Sequence, residues 1–315
     1  MKCLLKYQWV KLPRSNPPTN EGIMLYWIRL ATNAAFRSGQ VNFCGHMNNI
    51  SIGSWVGGIE GLTSILEINS QKKALSIMET LVNLGYIEYD IDKSTQRLTY
   101  KITDWVVECS EASCSEEAVY AKEGQGFLCL PRSITQRLVE KKYTFEPADA
   151  WLDLWCHSVW QDSSNAFSQL SPIVQFSVYK SALTLKSIGE RWNWDKKEVW
   201  QFLKSNADVF LSYKLPGSYG CLIFNISYPT DSKKRPPTSN KIKRILEEIR
   251  IKGQNTHVRK SDDDNLRINK LIAWYSKFIV PQDLPDGSDK TCSDPNSCLE
   301  HDSSSIRGPC ASTPP

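Results

Sequence analysis

The sequence predicts an α+β, mainly helical protein: tandem winged helix-turn-helix domains, then C-terminal helices and a disordered tail. Three observations carry that expectation. A short motif and the pattern that follows it recur at an offset of about 120 residues. Within each copy, apolar residues fall at helical spacing and then give way to two β-rich runs around a turn. Beyond the second copy the composition becomes basic and then polar, with little apolar surface to bury.

The repeat opens with Trp9-Val10-Lys11-Leu12-Pro13-Arg14, matched by Phe127-Leu128-Cys129-Leu130-Pro131-Arg132. A buried helix follows in each copy, with Leu25-Tyr26-Trp27-Ile28-Arg29-Leu30 answering Ala150-Trp151-Leu152-Asp153-Leu154-Trp155. A second helix aligns Leu62-Thr63-Ser64-Ile65 with Leu185-Lys186-Ser187-Ile188. The third helix opens on Lys72-Lys73 in one copy and Lys196-Lys197 in the other. Each copy then ends in two strands, 87–91 and 98–102 in the first, 209–215 and 221–228 in the second.

The helix ends are readable from their chemistry. Thr184 suits the cap of a helix ending near Trp192, which leaves Asn193-Trp194 as a tight turn. Asp195 with Glu198 three residues on has the spacing of a capping box. In the helix that follows, Val199, Phe202 and Leu203 form an inward stripe. Trp151 and Trp155, one turn apart among Leu152, Leu154 and Val159, belong to the core and not to an exposed stacking surface. The resulting division is a first winged-helix domain at 1–107, a linker at 108–125, a second domain at 126–229, a basic helical segment at 230–280 and a disordered tail at 281–315.

Charge is modest overall, a formal +4, but unevenly placed. The tail from Pro281 holds six acids and two bases, which leaves 36 bases against 28 acids, or +8, for the rest. Between Lys233 and Lys270 there are twelve bases and five acids. A basic body is compatible with a nucleic-acid partner. No apolar run approaches the roughly 18 residues of a membrane span, and the N-terminal stretch does not have the pattern of a signal peptide. A cytoplasmic location is therefore expected, with no membrane partner.

The ten cysteines then read mostly as small hydrophobes or thiols, not disulfides. No paired spacing suits zinc, so no metal is expected, and no cofactor either. Catalytic constellations are missing as well. His46, His157, His257 and His301 are widely separated, no phosphate-binding glycine loop occurs, and Cys156 and His157 are adjacent on a helix and point about 100° apart. The chain is expected not to be an enzyme.

What remains is a helix face rich in donors. On the third helix of the second copy, Lys197, Gln201 and Lys204 point away from the apolar stripe, flanked by Lys196 and Ser205. Lysines suit phosphates or a guanine edge, and a glutamine amide suits an adenine edge. The first copy offers Lys72 and Lys73 as candidate DNA contacts, but its outward face of Lys72, Ser76, Glu79 and Asn83 includes an acid that repels phosphate.

The second copy resembles a known group. Residues Gly126 to Arg132, Asp149 to Trp155, Leu183-Thr184-Leu185 and the run Cys221-Leu222-Ile223-Phe224-Asn225 carry the likeness. They resemble winged-helix replication initiators and replisome organisers of Firmicutes mobile elements, similar in their N-terminal module to DnaD-like proteins. The likeness spans roughly 126–278. It implies sequence-specific binding to double-stranded DNA, self-association into a homo-oligomer, and a role in starting replication of a plasmid, phage or integrative element together with host replication proteins. The alternatives are a transcriptional regulator that binds an operator as a dimer, and an interaction scaffold that never touches DNA.

Overall fold

The repeated motif does not lie in two separate modules: its two copies pair with each other. In the computed structural model, which describes residues 9–106, 118–122, 124–159, 172–176, 183–214 and 220–229, strand β1 (Trp9–Pro13) runs antiparallel to β7 (Phe127–Pro131). The register is self-matched. Lys11 faces Cys129, the third residue of each copy, and Trp9 faces Pro131 while Pro13 faces Phe127. A local two-fold axis thus passes through the middle of the ribbon. The arginines that follow obey it too. Arg14 Nη1 donates to the carbonyl of Thr32 near the end of the first long helix, and Arg132 Nη1 donates to Cys156 and Ser158 at 3.0 and 2.9 Å beyond the second.

After β1 the first half continues as α1 (Ile23–Asn33), a hairpin of β2 (Gly39–Phe43) and β3 (His46–Ile50), β4 (Ser54–Gly57), α2 (Ile59–Leu66), α3 (Gln71–Asn83), β5 (Ile87–Asp92) and β6 (Arg97–Ile102). The second half, after β7, runs α4 (Gln136–Glu140), α5 (Pro147–Cys156), β8 (Ser158–Val159), β9 (Ile173–Val174), α6 (Leu185–Trp192), α7 (Lys196–Ser205), β10 (Phe210–Lys214) and β11 (Cys221–Asn225). The sheets correspond. In the first half β6 lies between β4 and β5. In the second, β11 pairs with β10 and bridges Leu183, the residue just before α6, through bonds of 2.7 and 2.9 Å. The strand pair β8–β9 extends that second sheet, and the first half carries its extra strands as the free-standing β2–β3 hairpin.

Cap residues give the internal alignment more surely than side-chain likeness does. Both second helices end on a left-handed residue, Glu67 (φ 54°) and Asn193 (φ 59°). That pairs buried Leu62 and Leu66 with buried Ile188 and Trp192, three residues away from the match expected from sequence. The turn to the next helix is one residue longer in the first half, Glu67-Ile68-Asn69-Ser70 against Asn193-Trp194-Asp195. Ser70 and Asp195 cap α3 and α7 by accepting from Lys73 N, and from Lys197 N and Glu198 N. Lys72 therefore corresponds to Lys197, and the Lys-Lys pairs slide past each other by one position.

The halves share one hydrophobic core, which runs from Val10, Trp27 and Met78 through to Trp155, Trp192 and Phe210. Polar bonds close the seam around it. Met24 N donates to Asp149 Oδ1 at 2.8 Å, Ala148 N to the Glu21 carbonyl at 3.0 Å, Trp155 Nε1 to the Lys11 carbonyl at 2.9 Å, and Tyr86 Oη to the Ile134 carbonyl at 2.7 Å. Gly22 permits the closest approach: a methyl group there would lie 2.9 Å from both Ala148 Cβ and Asp149 Oδ1.

This corrects the expected fold class. About 35% of the described residues are helix and 27% strand, in seven helices and four small antiparallel sheets, so the protein is α+β but not mainly helical. The reading as tandem winged helix-turn-helix domains finds no support in that architecture. Seven of the eleven strands among the described residues were not expected. Sequence patterning detects strands that alternate locally around a turn, whereas β1 and β7 pair across more than a hundred residues and β8 and β9 are two residues long. Most of the expected linker, the basic segment at 230–280 and the tail at 281–315 lie outside the described residues.

Candidate nucleic-acid interface

A buried carboxylate sets the position of α6. Asp153, on α5, is fully buried and accepts from Arg191 Nε and Nη2 at 2.7 and 2.9 Å, from Trp192 Nε1 at 2.7 Å and from Thr135 Oγ1 at 2.6 Å. His157 Nδ1 lies 3.2 Å from the same carboxylate. Burial alone would raise this acid's pKa, but His157 and Arg191 outweigh it and hold the pKa well below the ordinary carboxylate range. Arg191 also rests on the Phe176 ring, 4.7 Å from its centroid. With every polar group partnered, the network ties α5 and the α4 start to the last turn of α6.

Aromatic packing then fixes α7 on α6. Trp192, Trp194 and Phe202 meet edge-on at centroid distances of 5.2 to 5.5 Å, and Trp194 Nε1 donates to the Phe145 carbonyl at 2.7 Å. The turn between the helices passes so close to α6 that a methyl group on Gly189 would sit 2.5 Å from the Trp194 carbonyl oxygen. The expected capping box is formed: Asp195 Oδ1 accepts at 2.7 Å from both Lys197 N and Glu198 N, and Glu198 returns a carboxylate oxygen to Asp195 N at 2.7 Å.

The geometry of α7 follows. Val199, Phe202 and Leu203 are buried, and Lys196, Lys197, Gln201, Lys204 and Ser205 are all exposed. Lys197, Gln201 and Lys204 share one face, with Lys196 and Ser205 at its borders. No ion pair engages the three lysines among the described residues, whereas Lys186 and Glu190 on the neighbouring helix pair at 3.6 Å. A shallow, open depression at the base of the face is lined by Lys186, Lys196 and Lys197 together with Glu190 and Asp195, over Leu185 and Trp194. Reasoning from the sequence overlooked Trp200 on this helix, which is 46% exposed. Its offset from the buried stripe was the available signal: at 100° per residue it falls beside Lys204 and not beside Phe202.

The first half places its own candidates differently. Lys72 and Lys73 are exposed at the start of α3, with Ser76, Glu79 and Asn83 exposed further along. The buried stripe is Ala74, Ile77, Met78 and Leu81, and Val82 is exposed. Glu79 lies close enough to Tyr89 to help burial raise the phenol's pKa. The end of α3 is covered by the other half, since Lys141 Nζ donates to the Asn83 carbonyl.

Elsewhere the chemistry is quiet. Cys156 is fully buried, which pushes its thiol far above the ordinary range, and the neighbouring His157 turns Nδ1 toward the Asp153 carbonyl oxygen at 2.7 Å. Among the described residues no three His, Cys, Asp or Glu side chains gather as a metal site, and no helix is long and apolar enough to cross a membrane. A cavity of about 40 Å³ beside the ribbon, lined by Arg14, Trp27, Asp104 and Cys129, is water-sized. No protein-family model, curated protein or solved structure matches the chain.

Proposed function

We propose that this protein binds double-stranded DNA through the outward face of α7. The observation that carries the reading is the set of three lysines, without acidic partners among the described residues, that shares an exposed helix surface with Gln201. Two of these lysines stand in the first turn of α7, where the helix dipole disfavours cations by a few tenths to about 1 kcal/mol each. Helix stability therefore does not account for them, and a polyanion does. The major groove is wide enough to admit an α-helix, so Gln201 would address a base edge while Lys196, Lys197, Lys204 and Ser205 address phosphates.

The test is DNA affinity as a function of salt, measured by anisotropy on the full chain. Replacing Lys197 and Lys204 with Ala should remove two phosphate contacts and flatten the log-affinity against log-salt slope by about 1.8. Q201A should leave the slope alone and cost about 1–3 kcal/mol on a cognate site. Replacing Lys72 and Lys73 should have a milder effect, because Glu79 shares the outward face with Lys72. Absence of salt-sensitive binding in the parent protein would replace this reading with that of an interaction scaffold. A footprint on iterated repeats would support a role in starting replication, and one on a promoter palindrome a role in transcription.

A further inference from the structure

We propose that Trp200 is a stacking platform for an unpaired DNA base, so that the α7 surface holds single-stranded as well as duplex DNA. The proposal rests on the DNA-binding reading of this surface and adds a substrate class to it. Among the described residues Trp200 is the one exposed tryptophan; Trp27, Trp151, Trp155 and Trp192 are buried. Among the described residues it takes part in no hydrogen bond or ring contact, and nearly half of it faces solvent. Its neighbours along the helix are cations: Lys196 and Lys197 lie four and three residues before it, and Lys204 four after.

The matching positions of the first half strengthen the inference. With Ser70 aligned to Asp195, Trp200 corresponds to Leu75, which is half-buried, and Lys204 corresponds to Glu79. Trp200 and Lys204 are thus replaced together in the first half, while Lys197 keeps a counterpart in Lys72. A flat apolar surface rimmed by positive charge fits an occupant that is anionic and carries aromatic faces. In a duplex those faces are stacked on neighbouring bases; in a single strand they are open.

Anisotropy titrations of the full chain with labelled oligothymidylate and with a labelled duplex of equal length decide the matter. W200A should weaken oligothymidylate binding about 5- to 100-fold, in line with the loss of one base–aromatic stack, and duplex binding less than about threefold. W200F, which keeps a ring, should retain most of the affinity, and unchanged melting temperatures would show both variants folded. An equal effect on both ligands, or none on either, overturns the stacking role and leaves the duplex reading standing; the second result would fit a tryptophan that serves a protein partner. A parent chain that holds oligothymidylate but not duplex overturns the duplex reading alone, and one that holds neither overturns both.

Discussion

In the first half, α1 reaches the end of α2 through Arg29, which donates to the Leu66 carbonyl at 2.5 Å and pairs with Glu67. Counted from the helix caps Gly22 and Glu146, one position away from the match expected from sequence, the corresponding position on α5 is Asp153, which receives Arg191 and Trp192 from the end of α6. The joint is the same and its polarity is reversed. Its surroundings differ as well: the Glu67 side chain is 69% exposed, whereas Asp153 is fully buried and Arg191 nearly so. The pairs should therefore differ widely in energetic weight. Solvent screens and competes for the first, while in the second each lost partner strands a buried polar group.

Substitutions can test that contrast, and the largest effect is expected at Asp153. D153A removes the acceptor shared by Arg191, Trp192 and Thr135 and should cost about 3–5 kcal/mol in urea denaturation; a loss below about 1 kcal/mol would show the network to be incidental. Next comes the seam between the halves. G22A forces a methyl group against Ala148 and Asp149 and should cost roughly 1–3 kcal/mol, unless α1 and α5 separate without penalty.

The two carboxylates on α5 should also respond to pH with opposite signs. Burial raises Asp149 to about 7, although Glu146 N and Met24 N donate to it. A raised folded pKa means that its stabilisation is complete below about pH 4 and is lost as pH rises through about 7. Asp153, with its lowered pKa, contributes stability that is present above about pH 4 and is lost as pH falls through its folded value. D149N should accordingly gain on the parent protein between pH 5 and pH 8 in denaturation midpoint, and a constant difference across that window would mean that Asp149 does not titrate there. The smallest effect belongs to Arg29: R29A should cost no more than about 1 kcal/mol, and a loss matching D153A would erase the distinction between the joints.

What was legible in the sequence was local. The caps at Thr184 and Asp195, the stripe of Val199, Phe202 and Leu203 and the burial of Trp151 and Trp155 all follow from spacing within a few turns of helix. The repeat was legible too, but its meaning was not: similarity between two segments does not reveal that they are each other's pairing partners. The β2–β3 hairpin turns on Cys44 and Gly45, both at positive φ, and its first strand alternates exposed Gln40 and Asn42 with half-buried Val41 and Phe43, a period of two that was overlooked because it is only five residues long. On the candidate surface the lysines were visible by charge. Trp200 was overlooked, because an aromatic residue in a helix is first assigned to the core, although its offset from the stripe of Val199, Phe202 and Leu203 already turns it toward Lys204.

The self-matched ribbon of β1 and β7 has a further consequence. In a symmetric dimer of identical chains, any substitution appears twice, and association depends on concentration. Here the two-fold contact is made within one polypeptide, so it persists at any dilution and each side of the axis accepts changes of its own. That freedom is visible where Lys204 stands on one side and Glu79 on the other. A covalent tether lets a symmetric joint carry two unlike surfaces, one of them basic and one not, at a stoichiometry that never varies.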